Sequence, residues 1–136
     1  MRENLHIAVD FDGTIVQHKY PDIGEEIPGA FETLKKLNSA GYKLILWTYR
    51  DGQELQEAID FCLKNGIIFW AVNNSYPEEK YNKYLSRKID ADIFIDDKNF
   101  GGFPGWDKIS EELLGEKLSA PENSEKKKKK GWFRLK

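Results

Sequence analysis

Cysteine and histidine are scarce in this chain of 136 residues, and each scarcity removes a class of function. A single cysteine, Cys62, excludes a disulfide framework and a cysteine-based zinc site. The two histidines, His6 and His18, are too far apart in sequence to suggest a histidine metal cluster. No apolar run approaches the ~20 residues that a membrane-spanning helix needs, and no internal repeat is present. The chain opens Met-Arg-Glu-Asn-Leu-His and runs straight into strand-like sequence, without the basic-then-apolar pattern of a secretory leader. The expectation is an intracellular, cytoplasmic protein. Positive charge is also missing from most of the molecule. The net charge is −2, but residues 122–136 hold two acids and seven bases, which leaves −7 on the first 121 residues. An acidic body is a poor general nucleic-acid binder, since phosphate affinity comes mainly from matched positive charge.

What remains reads as one globular domain with a core of its own. Residues 6–11 (HIAVDF), 43–47 (KLILW), 67–72 (IIFWAV) and 93–95 (IFI) are apolar runs of strand length. Without polar alternation, they predict strands covered on both faces, hence a parallel sheet. Helical spacing lies between them. Phe31, Leu34 and Leu37 form one apolar stripe, entered by Pro28 and closed by Gly41. Leu55, Ala58, Ile59, Cys62 and Leu63 form another, closed by Gly66. A short helix is expected before the fourth strand, and a last helix over about residues 107–118, capped by Asp107. This alternation predicts an α/β fold: a three-layer, Rossmann-like parallel sheet with flanking helices, joined by right-handed crossovers. The domain is expected over residues 1–118, with a disordered basic tail over residues 119–136.

In such a sheet, ligands bind at the carboxyl ends of the strands. Asp10 and Asp12 end the first strand, Thr48 follows the second, and Asp96-Asp97 follow the fourth. Carboxylates converging without histidine describe an oxygen-rich site for a hard cation, and Mg²⁺ is the best fit. A cation also explains how the fold tolerates mutually repelling charges. One acidic pair at a strand end could serve merely as turn and cap residues. Two pairs at separate strand ends, with a threonine at a third, point to chemistry.

These residues carry a resemblance. Asp10-Phe11-Asp12-Gly13-Thr14-Ile15 is similar to the first motif, hhhhDxDGT, of the haloacid dehalogenase-like superfamily of phosphohydrolases. Leu46-Trp47-Thr48 resembles its second motif, a strand ending in Thr or Ser, and Phe94-Ile95-Asp96-Asp97 its fourth. The likeness runs from about Ile7 to Gly102, in the order the superfamily requires, and looks closest to small capless members. It implies a phosphomonoester hydrolase with Asp10 as nucleophile, forming an aspartyl-phosphate. Asp12 would protonate the leaving group and then activate water, a role helped by crowding among neighbouring acids, and its main-chain carbonyl would bind the metal. Gly13 would let the chain turn beside the phosphate, and Thr14 would hold the flap that follows. Thr48 would bind a phosphoryl oxygen, helped by nearby backbone N–H groups. Asp96 and Asp97 would complete the Mg²⁺ ligands with Asp10 and Asp12. The superfamily's third motif is a lysine that neutralises nucleophile and phosphate. Lys88 is the candidate here, with Arg87, Lys83 and Lys80 as competitors.

Around this centre, Arg50 is expected at the rim, where it would clamp the anionic end of a substrate. Trp47, Tyr49 and Trp70 offer rings for a base-stacking platform, although aromatics next to apolar strands more often belong to the core, and Tyr49 is counted with the substrate-binding candidates. Asn73 and Asn74 close the third strand on the same side, Cys62 falls on a buried helix stripe, and His18 falls in the flap. Relatives insert a cap domain after the first motif or after the third strand. Here residues 16–27 and 73–86 are too short for one, so an open site is expected. The expected partner is a small phosphorylated metabolite, a nucleotide or a sugar phosphate. The basic run from Lys126 to Lys136, with Trp132 and Phe133, adds a weak contact to anionic membrane or nucleic acid as a further expectation. The competing reading is a catalytically silent module that recruits a partner through this tail.

Overall fold

In a computed structural model, residues 5–119 are described. Their elements follow in the order β1 (His6–Val9), α1 (Ala30–Ser39), β2 (Lys43–Leu46), α2 (Gly52–Lys64), β3 (Ala71–Val72), β4 (Ile93–Ile95) and α3 (Trp106–Leu114). The four strands form one parallel sheet in the order β3-β2-β1-β4, so the predicted α/β class is found. Val9 sits beside both Leu46 and Ile95, and Leu46 beside Val72. Because these last residues are level, whatever follows β1, β2 and β4 emerges along one edge.

The topology explains which face each connection covers. From β1 through β2 to β3 the chain moves one way across the sheet, and right-handed crossovers put α1 and α2 on the same face. The step from β3 to β4 goes back over β2 and β1, so the same handedness puts residues 73–92 on the opposite face. The side chains agree. Ile7, Val9, Leu44, Leu46 and Ile95 pack with Ala30, Leu34 and Leu37 of α1, Ala58 and Cys62 of α2, and Trp106 and Ile109 of α3. On the other side Ala8, Ile45 and Ala71 meet Ile89, with Trp47, Trp70, Ala91 and Phe94 around them.

Three sequence expectations need correction. Among the described residues no helix lies between β3 and β4. The segment carries Pro77, and its Tyr, Glu, Lys and Asn residues are largely exposed, so it offers no apolar stripe for a helix to bury. The layer on that face is loop. β3 pairs only over Ala71–Val72, since Ile67 turns into the helix-side core while Ile68 stays exposed. α3 starts at Trp106 after Gly105, with Asp107 in its first turn rather than at its cap, and it ends at Leu114 before Gly115, whose φ is 69°.

Between β1 and α1 the chain makes a flap over residues 12–27. Its arms are tied by hydrogen bonds from Gln17 N to Glu25 O at 2.8 Å and from Ile27 N to Ile15 O at 2.8 Å. Apart from Ser119, the basic tail lies outside the described residues. Among those residues, no helix is long and apolar enough to cross a membrane.

Candidate active site

β1 is the centre of the sheet, flanked on one side by the chain that advances and on the other by the chain that returns. The crevice at such a switch point is where open parallel sheets bind ligands. A cleft of about 500 Å³ opens there, lined by Asp10, Asp12, His18, Tyr20, Trp47, Thr48, Tyr49, Asp96, Asp97 and Lys98. A larger groove of about 1010 Å³ between the starts of α1 and α3 contains none of these strand-end residues, so the smaller cleft is the candidate site.

Asp10, Asp96 and Asp97 each offer a carboxylate oxygen, and the three oxygens lie within 4.8 Å of one another. Thr14 ties two of them, Asp10 and Asp97, together. Its hydroxyl lies 3.0 Å from Asp10 Oδ2 and 3.4 Å from Asp97 Oδ1, and it accepts the Asp97 N–H at 3.0 Å. Thr14 is held in turn from behind, where the Trp106 indole N–H donates to its carbonyl at 2.8 Å. Gly13 is required on two counts. Its φ is 89°, and a Cβ there would run into the Asp97 carboxylate.

The crowding has an electrostatic consequence. Burial, a hydrogen bond with Asp97 and the charge of Asp96 push the Asp10 carboxyl up from 3.8 to about 8. Burial, followed by Asp97, also raises Asp96. Three hard oxygens that repel one another when ionised are the donor set a small divalent cation relieves, and Mg²⁺ fits this chemistry.

The chain is 52% identical to a conserved protein coded by a locus of Bacteroides thetaiotaomicron, over 85% of this chain and 94% of that one, at a TM-score of 0.77. The chain belongs to the family of that Bacteroides protein. A second solved structure, the D,D-heptose 1.7-bisphosphate phosphatase from B. bronchiseptica complexed with magnesium and phosphate, is 20% identical over 50% of this chain and 48% of that one, at a TM-score of 0.41. That likeness is too slight to bear on function. No protein-family model and no curated protein matches the chain.

In this chain Asp10, Asp12, Thr48, Tyr49, Asp96 and Asp97 all face one cleft. Tyr49 stands at its mouth, 94% exposed. Thr48 is held at both ends: its N–H donates to Asn73 Oδ1 at 2.8 Å, and its hydroxyl oxygen accepts the Arg50 N–H at 3.1 Å. Asn73 therefore consumes one backbone N–H that the sequence reading offered to a phosphoryl group. The hydroxyl proton of Thr48 is left to donate outward.

Other residues sit elsewhere than expected. Arg50 is not a rim residue. It is 1% exposed, and its guanidinium grips both oxygens of Asp12, Nε to Oδ2 and Nη2 to Oδ1, each at 2.8 Å. A side chain so committed is not available to clamp a substrate. The pair sets a cation beside the Asp12 carboxylate, in place of the crowding by neighbouring acids that the sequence suggests. Asp12 lines the same cleft but lies outside the group of Asp10, Asp96 and Asp97. Lys88 does not line the cleft. It is exposed, with its ammonium 5.9 Å from the centre of the Phe94 ring on the loop-covered face. The lysine that does line it is Lys98, directly after the paired acids, whose N–H also donates to Asp96 Oδ1 at 2.8 Å. Trp70 lies at the far end of the sheet against His6, ring centres 4.7 Å apart. Cys62 is core, its thiol pushed up to about 12 by burial.

Proposed function

We propose that the protein is a Mg²⁺-dependent phosphomonoester hydrolase of the haloacid dehalogenase-like type, acting on a small phosphorylated metabolite through an aspartyl-phosphate. The observation that carries the reading is the meeting of Asp10, Asp96 and Asp97 within 4.8 Å at two strand ends, in the cleft that also holds Thr48. When bound, Mg²⁺ supplies charge neutralisation to the carboxylates and the phosphoryl group. Asp10, Asp96 and Asp97 would hold it through side chains, and Asp12 through its main-chain carbonyl.

The residues then divide the work. Thr14 holds Oδ2 of Asp10 and leaves Oδ1 to attack phosphorus as the leaving-group oxygen departs. Asp12 gives that oxygen its proton. Asp12 next takes a proton from the water that hydrolyses the aspartyl-phosphate, which releases inorganic phosphate and restores Asp10. The Thr48 hydroxyl donates to a phosphoryl oxygen. Lys98, the cleft-lining base, balances charge on nucleophile and phosphate, the part first assigned to Lys88. Tyr20, Trp47 and Tyr49 give the cleft an aromatic wall for the body of the substrate.

The test is inorganic phosphate release from a panel of phosphomonoesters, with Mg²⁺ and with chelator, for wild type and Asp10→Asn. Metal-dependent release that falls below a few per cent in the variant is expected. Release that survives the variant or the chelator refutes the reading.

A further inference from the structure

Arg50 is the largest buried charged side chain of the described protein, and none of the steps above uses it. Its guanidinium has five N–H donors, and the structure provides an acceptor for every one. Nε and one Nη2 proton go to the two oxygens of Asp12 at 2.8 Å each. The other Nη2 proton goes to the carbonyl of Asp22 at 2.7 Å. The Nη1 protons go to the carbonyls of Pro21 at 3.1 Å and Glu54 at 3.3 Å. The Phe11 and Tyr20 rings each have their centres 5.1 Å from the guanidinium carbon. One side chain on the loop after β2 is thus fastened to Asp12, to the flap at residues 20–22 and to the first turn of α2.

Charge balance alone would not require this arrangement. A lysine would neutralise Asp12, but it carries three donors and no planar fork, and it could not hold two carboxylate oxygens and three carbonyls at once. The fork fixes the plane of the Asp12 carboxylate, and the carbonyl bonds fix the flap that brings His18 and Tyr20 to the cleft.

We infer that Arg50 is a positioning residue for the proposed hydrolysis, setting the Asp12 carboxyl and the flap as a single unit. It acts through Asp12 and touches no reacting atom. The inference rests on the hydrolase reading for its effect on turnover, while its effect on the flap stands apart from turnover.

Two esters separate positioning from bulk stability. A nitrophenolate leaves without being protonated, whereas an alkoxide needs the proton that Asp12 supplies. In Arg50→Met, kcat/KM for glycerol phosphate should fall about 100-fold and that for p-nitrophenyl phosphate only about tenfold, the difference being the share of acid catalysis lost. Arg50→Lys, which keeps the charge and loses the fork, should retain the same bias towards the nitrophenyl ester. It also carries the test if Arg50→Met does not fold. In an Asp12→Asn background, changing Arg50 to Lys should cost the alkyl ester little more, because a residue that acts through Asp12 has nothing left to position. The flap is read without turnover, by trypsin cleavage after the exposed Lys19, which should be faster in both Arg50 variants than in wild type. Equal losses on the two esters, or additive losses with Asp12→Asn, overturn the role at Asp12, and unchanged cleavage after Lys19 overturns the role at the flap. Wild-type protein that releases no phosphate from either ester overturns the hydrolase reading and the Asp12 role together, and leaves the trypsin result to decide the flap.

Discussion

Replacing Asp10 by asparagine should abolish turnover and, without a divalent cation, stabilise the fold at alkaline pH. In the unfolded chain this carboxyl ionises near 3.8, while in the folded protein burial, Asp97 and Asp96 hold it to about 8. Between those values the folded state keeps a proton that the unfolded state has released, so stability declines as pH rises through the window. The contribution is whole below about pH 4 and is lost by about pH 8. A full shift of this size is worth about 1.4 kcal/mol per unit, or at most about 6 kcal/mol. Asp10 is only half-buried, so water screens part of the repulsion, and the three carboxylates share the rest. A loss of about 2–3 kcal/mol between pH 5 and pH 9 is the reasonable expectation. For a domain of this size that is a fall in Tm of about 10 °C. The asparagine amide cannot ionise, so the variant should follow a much flatter curve, with a residual slope from the raised Asp96. The assay is thermal unfolding in chelator from pH 5 to pH 9, repeated with millimolar Mg²⁺. In wild type the cation should raise Tm more at pH 8.5 than at pH 5.5, and in the variant it should do less at both. Parallel curves for the two proteins in chelator would show that Asp10 does not carry the repulsion and would undo the argument.

Two further predictions concern the same cleft. Lys98→Ala should lower kcat/KM for a phosphomonoester by tenfold or more, whereas Lys88→Ala should leave it within about twofold, since only Lys98 lines the cleft; steady-state kinetics with one ester decides, and the reverse order would restore the first assignment. Thr14→Ala should cost about 1–3 kcal/mol in thermal unfolding and weaken Mg²⁺ binding in a calorimetric titration, because the hydroxyl ties Asp10 to Asp97 at 3.0–3.4 Å from a buried position. Thr14→Ser should recover most of both.

Asp10, Asp12, Thr48, Asp96 and Asp97 were legible in the sequence because two local signals coincided at each of them. A short apolar run ended, and an acid or hydroxyl stood directly after it. Parallel pairing in level register turns those five sequence positions into one edge, so the site follows from strand topology with no knowledge of side-chain contacts. Arg50 carries no such signal. It stands two residues after Thr48 in a charged loop, and an arginine in that setting reads as a solvated rim group. Its burial depends on partners 28, 29 and 38 residues away, at Asp22, Pro21 and Asp12. None of these is implied by local periodicity. Lys98, the lysine that lines the cleft, is absent from the sequence candidates for a related reason. Lys88 could reach the strand ends only from the short helix expected before the fourth strand, but the chain between β3 and β4 has no apolar stripe to hold a helix on the sheet. Without that helix Lys88 comes to rest over Phe94. Lys98 needs no such element, since it follows the paired acids directly at the end of β4. Where a residue's place depends on its own strand, sequence order is enough to find it; where it depends on a loop closing over it, as the flap closes over Arg50, the fold must be seen.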